Sequence, residues 1–303
     1  MRRIGVPLLA AVPVALAAGF FFLSPSDSSD EPDTTPRSQS AVAEDGEAAK
    51  SRAEEKRSAD DRAIAALPPG LAAPAKKELA QQIVASAENS TLDWRTAYAY
   101  IEDIGDGQGY TAGVIGFCTG THDLLTLVER YTKDHPDNGL ARYLPALREV
   151  DGTDSHEGLD PGFTAAWKAE AKVEAFRAAQ DAERDRVYFD PAVRLAKLDG
   201  LGALGQFIYY DAMVFHGPGT NATSFYGLRE AAMRKADLPS EGGSEEAYLS
   251  AFLDVRKGAM RTRKADIDTT RVDTAQRRFL REGKLELETP LTWAVYGETY
   301  KVP

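Results

Sequence analysis

The chain has 303 residues, 43% of them hydrophobic, with 12 Tyr, 12 Phe and 3 Trp, enough to bury the core of one or two globular domains. Its 47 acidic residues outnumber 36 basic ones, a net charge of −11, which argues against a nucleic-acid partner and suits a cationic one. The single cysteine, Cys118, excludes an intrachain disulfide; inside the apolar run 114–118 it reads as a small buried residue rather than a nucleophile.

At the N-terminus, Arg2-Arg3 precede an uncharged apolar run over residues 4–23. A basic start followed by an apolar stretch is the pattern of a secretory signal. The run is also just long enough to span a bilayer, so a retained membrane anchor is the alternative. Either outcome places the remainder outside the cytoplasm, because the positive charge stays inside. Residues 24–70 lose almost all large apolar side chains and are read as a disordered linker, with a transient charged helix over 48–66. Residues 71–303 are the folded domain.

In that domain Leu79, Ile83 and Ala87 recur at helical spacing, Val84 widens the stripe, and Glu88 follows at its edge. Ser90 and Asp93 resemble a capping box opening a second helix, whose apolar face is Trp94, Tyr98 and Ile101. Glu88 is thus expected at a helix–helix junction, half against apolar surface, where desolvation can raise a carboxyl pKa. The glycine-rich run 104–111 and the apolar run 114–118 read as a loop with one or two strands. Helical patterns resume at 121–134, 140–149, 163–188, 201–215, 223–236, 244–262 and 270–282. The sum is a mainly α domain of about ten helices with one small β-sheet.

The chemistry is narrowed by what is missing. Gly105-x-Gly107-x-Gly109 fits neither dinucleotide nor P-loop spacing, and the same residues fail as an EF-hand. Four scattered histidines include no H-E-x-x-H, and G-x-S-x-G is absent, so no metal, cofactor or serine nucleophile is indicated. Paired carboxylates remain. Glu88 lies at an apolar edge and Asp106 in a glycine-flanked loop open to a polymer, and such contrasting settings can separate two carboxyl pKa values as acid/base hydrolysis requires.

These residues sit in longer runs. Ser86-Ala87-Glu88-Asn89-Ser90-Thr91-Leu92-Asp93-Trp94, Tyr100-Ile101-Glu102-Asp103-Ile104-Gly105-Asp106-Gly107 and Gly109-Tyr110-Thr111 resemble the actinobacterial chitosanases of glycoside hydrolase family 46. The resemblance continues through Asp185-Arg186-Val187-Tyr188-Phe189-Asp190-Pro191, Tyr209-Tyr210-Asp211 and His216-Gly217-Pro218-Gly219 to Trp293 and Tyr296-Gly297, covering residues 71–303. It implies a two-lobed, lysozyme-like fold with the substrate cleft between the lobes. It implies endo-hydrolysis of β-1,4 glucosamine linkages in chitosan with inversion, by a secreted monomer acting on the polymer or its oligosaccharides without a cofactor. By the same resemblance Glu88 is the general acid and Asp106 the general base, and Thr111 holds the attacking water. Arg271, Asp211 and Arg256 form the supporting charge network, while Tyr100, Asp103 and Asp123 bind substrate. Trp94, Trp167 and Trp293 match tryptophans that pack the core. Gln108, Arg263 and Glu298 depart from the family pattern, which has arginine, glutamate and aspartate there. The rival readings are a lysozyme-like peptidoglycan hydrolase and a non-catalytic, wall-tethered chitosan-binding protein.

Overall fold

The computed structural model describes residues 39–303. The signal or anchor read at 1–23 and the start of the linker lie outside the described residues. Gln39–Ala65 form one helix, α1, where the sequence reading put a disordered chain with at most a transient helix. The reason is composition: Ala, Glu, Lys and Arg dominate the segment, and each has high helix propensity even without an apolar stripe to bury. Gly70–Pro303 form a separate compact unit.

That unit is helical around two cores. Its helices are α2 (Pro74–Glu88), α3 (Asp123–Asp134), α4 (Leu144–Val150), α5 (Phe163–Glu170), α6 (Glu174–Arg184), α7 (Asp190–Leu198), α8 (Ala203–His216), α9 (Phe225–Met233), α10 (Glu245–Arg263) and α11 (Arg277–Arg281). The larger core gathers Ile83, Val84 and Ala87 of α2 with apolar residues of α7 to α11, among them Phe207, Tyr210, Phe252 and Phe279. The smaller core joins Trp94 and Tyr98 to Leu127, Leu147, Phe163, Trp167 and Phe176 of α3 to α6. Two connections run between the lobes. Helix α2 sends Ala85 into the smaller core and its neighbours into the larger. The second is the continuous run from α6 through a π turn (Asp185–Phe189) into α7, with Phe176 in one core and Phe189 in the other.

The smaller lobe carries an antiparallel sheet, β1 (Ile101–Asp103), β2 (Tyr110–Ala112) and β3 (Phe117–Cys118), in that order. Asp103 pairs with Tyr110, so the loop between them leaves β1 and re-enters β2 at directly opposed residues. The expected single sheet is two: β4 (Leu291–Val295) and β5 (Glu298–Val302) form a hairpin in the larger lobe. Leu291, Trp293 and Val295 alternate inward, and Tyr296 and Gly297 both adopt positive φ (52° and 83°), the geometry a tight two-residue turn demands.

Two further expectations change. Trp94–Ala99 is a 3₁₀ helix without a side-chain cap, and Ile101 belongs to β1, so the capping box and second α-helix are not formed. Ser90 at φ 52° bends the chain before Asp93, and six residues are too short for an α-helical stripe. The helix expected over 163–188 is broken at 171–173, where Val173 turns extended and Arg177 donates to the carbonyls of Ala171 and Lys172.

The tryptophans are buried in the cores as expected. Trp293 also ties the hairpin to the end of α2: its Nε1 donates to Ser86 Oγ at 2.9 Å, and Ser86 Oγ donates to Ile83 O at 2.7 Å. Ser86→Ala leaves the buried indole N–H without its acceptor, and urea unfolding should show a loss of about 1–3 kcal/mol.

Candidate active site

Helix α2 ends at Glu88. Because Ile83, Val84 and Ala87 commit the helix to the larger core, the next residue emerges at the core's rim, with its side chain 20% exposed. Arg271 meets it there: Nη1 donates to Glu88 Oε1 at 2.7 Å and Nη2 donates to Asp211 Oδ1 at 2.7 Å. Asp211, on α8, is buried, and its Oδ2 accepts from Gln276 Nε2 at 2.6 Å and lies 2.6 Å from Arg256 Nη1 on α10. Arg256 Nη1 also donates to Gln276 Oε1 at 2.9 Å. The ring of Phe215 lies beneath both guanidiniums, 4.6 Å from Arg271 and 5.7 Å from Arg256.

A local distortion makes this network possible. Arg271–Gln276 is a π turn. In an α-helix residues five apart point about 140° away from each other, whereas i→i+5 bonding brings them toward one face. Arg271 and Gln276 therefore both reach Asp211. Burial alone would push the Asp211 carboxyl up, but Arg271 and Arg256 override it and hold it well below the usual carboxylate range. Asp211 is thus a permanent anion between two cations.

The second group of candidates lies on the sheet of the smaller lobe. Asp106 is exposed on the β1–β2 loop, its Oδ1 accepting from the N–H of Gln108 at 3.0 Å. Asp103 Oδ1 accepts from the N–H of Gly105 at 2.8 Å, so two successive carboxylates turn the loop back on itself. Gly105 and Gly107 have φ of 70° and 83°, and a Cβ on either would meet nothing within 4 Å. Conformation selects glycine there, and the space beside the loop is open.

Thr111 is buried in β2, opposite Glu102 and Cys118, with Oγ1 3.3 Å from Cys118 Sγ. Burial and then the charge of Asp123 push the Cys118 thiol up to about 12, so it stays neutral and is no nucleophile. Asp123 opens α3, and its Oδ1 accepts from the N–H groups of Cys118 and Leu124 and from the Thr121 hydroxyl, at 2.8, 2.9 and 2.7 Å. Burial nevertheless pushes this carboxyl up to about 6. Tyr100 is half-buried, and its phenol is raised first by burial and then by Glu102, Cys118 and Asp106.

The predicted residues therefore fall into two sets. Glu88, Arg271, Asp211 and Arg256 form one connected network in the larger lobe. Tyr100, Asp103, Asp106, Thr111 and Asp123 gather around the small sheet of the other. Gln108, at a departure from the family pattern, serves the loop through its backbone, with N–H to Asp106 and its carbonyl accepting from Gly120 N–H and Thr119 Oγ1. Arg263 sits 6.0 Å from the Phe215 ring. The sequence reading missed Gln276, visible only once the π turn is known, and Tyr296, 41% exposed at the β4–β5 tip. The Tyr296 phenol is raised first by burial, with Arg271 opposing the rise and Glu88 adding to it. Asp211→Asn would leave two buried guanidiniums with Glu88 as their one carboxylate, bonded to Arg271 alone. Chemical denaturation should show a loss of about 3–5 kcal/mol, more than any surface carboxylate substitution produces.

The chain is similar in sequence and fold to several chitosanases. A chitosanase of Streptomyces sp. (strain N174) is 59% identical over 233 residues, covering 77% of this chain and 84% of the relative. The co-crystal structure of chitosanase OU01 with substrate aligns with a TM-score of 0.75 at 54% identity, covering 77% of this chain and 99% of that one. The crystal structure of the native chitosanase from Bacillus subtilis MY002 aligns with a TM-score of 0.69 at 36% identity, over 75% and 98% of the two chains. The sequence profile of glycosyl hydrolase family 46 matches residues 82–291, and the chain belongs to that family.

Proposed function

We propose that the protein is an endo-acting chitosanase that cleaves β-1,4 linkages between glucosamine residues with inversion, using Glu88 as general acid and Asp106 as general base. The observation that carries this reading is the contrast between the two carboxylates. Glu88 is held in the larger lobe by a buried arginine that also serves Asp211, whereas Asp106 is exposed on an open loop of the smaller lobe.

Cleavage needs a proton on the leaving oxygen and a water driven onto the opposite face of the anomeric carbon. Arg271 donates to Oε1 of Glu88, so a proton on that oxygen would face a cation. The proton for the leaving group is therefore carried on Oε2. Asp106 keeps one oxygen engaged with the Gln108 N–H, leaving the other to orient and deprotonate water. Inversion requires about 6.5–9.5 Å between the two carboxyls, room for that water, and two lobes supply the separation more readily than one helix could. The Thr111 hydroxyl can donate a hydrogen bond to the Cys118 sulfur or turn its hydrogen to the water. Asp103 and Asp123 meet substrate ammonium groups, which an acetylated sugar lacks, and this charge pairing favours deacetylated polymer over the peptidoglycan backbone. The apolar run at 4–23 supports export of the enzyme, and a monomer suffices for the reaction.

Glu88→Gln and Asp106→Asn should each lower kcat on highly deacetylated chitosan by about 10²–10⁴-fold while preserving the thermal shift given by chito-oligosaccharide. Wild-type-like turnover in either variant would remove that residue from the mechanism. A second expectation concerns Asp123. Its carboxyl loses charge as pH falls through about 6, and with it the attraction for an ammonium group. The ratio of kcat/KM between wild type and Asp123→Asn should therefore shrink across that fall in pH.

A further inference from the structure

The Asp106 loop is open and exposed, yet general-base catalysis needs its carboxylate held in place. Side chains at both roots of the loop converge on one imidazole. His156 Nε2 lies 3.3 Å from Asp103 Oδ2, and its Nδ1 lies 3.5 Å from Asp160 Oδ2. The ring stacks on Tyr110 at 3.9 Å between centroids and 10° between planes. Tyr110 in turn donates its hydroxyl to Asp160 Oδ1 at 2.6 Å. Asp103 and Tyr110 are the paired residues at which the loop leaves β1 and enters β2. The Nε2 atom is buried with no hydrogen-bond partner, and the Asp103 carboxylate is the anion beside it.

The segment bearing the imidazole is itself ordered. The backbone carbonyl of His156 accepts from the N–H groups of Leu159 and Asp160, which fixes Asp160 relative to the ring. Asp103 is held from the other side by the N–H of Gly105, inside the loop. A continuous chain of contacts thus runs from Asp160 through His156 and Asp103 to Gly105, the residue before Asp106.

We propose that His156 is a positioning residue for the reaction, a clamp that fastens both roots of the loop carrying Asp106 and aims the carboxylate of Asp103 at the same time. This rests on the assignment of Asp106 as base. The clamp acts through other groups and touches neither water nor substrate. Its loss lets the loop sample positions from which Asp106 misses the water, and misplacement by about 1 Å can cost up to about a hundredfold in rate. Asp103 loses its aim with it, so KM for deacetylated substrate rises as kcat falls.

The test compares His156→Ala, His156→Gln and Asp160→Asn in the full chain by amide hydrogen exchange and by kinetics on chitosan. In His156→Ala, exchange across 103–110 should accelerate about tenfold or more, while α8 exchanges as in wild type. Its kcat should fall about tenfold with a higher KM. His156→Gln keeps an amide that can reach one carboxylate and should recover part of both. Asp160→Asn, which leaves Asp103 untouched, should loosen the loop and lower kcat without raising KM as much. Unchanged loop exchange in His156→Ala overturns the clamp, and so does acceleration spread equally over α8, which would mark His156 as a general stability residue. If the wild type itself fails to cleave chitosan, the functional reading falls, while the exchange data still decide whether the imidazole holds the loop.

Discussion

A guanidinium cannot be buried and charged unless anions share it, and Arg271 satisfies that constraint by dividing its two Nη groups between Glu88 and Asp211. The larger lobe is arranged around the consequence. Helix α8 supplies Asp211, α10 supplies Arg256, the π turn supplies Arg271 and Gln276, and α2 ends where Glu88 meets the free side of the fork. Removing Asp211 leaves two buried guanidiniums without the carboxylate they share, so the network depends on it. The network also selects which oxygen of Glu88 stays available to substrate.

The smaller lobe solves a different problem. Asp103 and Asp106 stand on a short sheet and an exposed loop rather than in a core. Asp103 and Asp106 each spend one oxygen on a backbone N–H, which orients the carboxylate, and the second oxygen of Asp103 faces His156. Asp123 is sunk deeper and held by three donors on a single oxygen. Two carboxyl groups thus sit in contrasting settings, Glu88 against a buried ionic network and Asp106 on an exposed loop.

Much of this was legible in the sequence. The spacing of Leu79, Ile83, Val84 and Ala87 predicts α2 and delivers Glu88 to its end, and the glycines flanking Asp106 predict an open loop. The candidate residues of the larger lobe do form one network. What sequence periodicity could not show were departures from regular helices. The π turn at 271–276 changes which residues share a face, so Gln276 was invisible to a 3.6-residue count. The periodicity over 163–188 runs through a break at 171–173, where Arg177 caps the carbonyls of Ala171 and Lys172. The β4–β5 hairpin carried a signal in the alternation of Leu291, Trp293 and Val295, but a five-residue strand is short beside the helical patterns around it. Helix α1 lacks an apolar stripe, so periodicity carries no signal for it, although its composition favours helix. His156 stood as one of four scattered histidines, and only the pairing of Asp103 with Tyr110 gives it a role.

The central claim is that acid and base approach the anomeric carbon from opposite faces, one from each lobe. Proton NMR of the first sugar released from chito-oligosaccharide, recorded before mutarotation, tests it most directly. The account predicts that the new reducing end appears as the α-anomer and equilibrates afterwards. An initial β-anomer would mean that the configuration is retained and that Asp106 does not act through water.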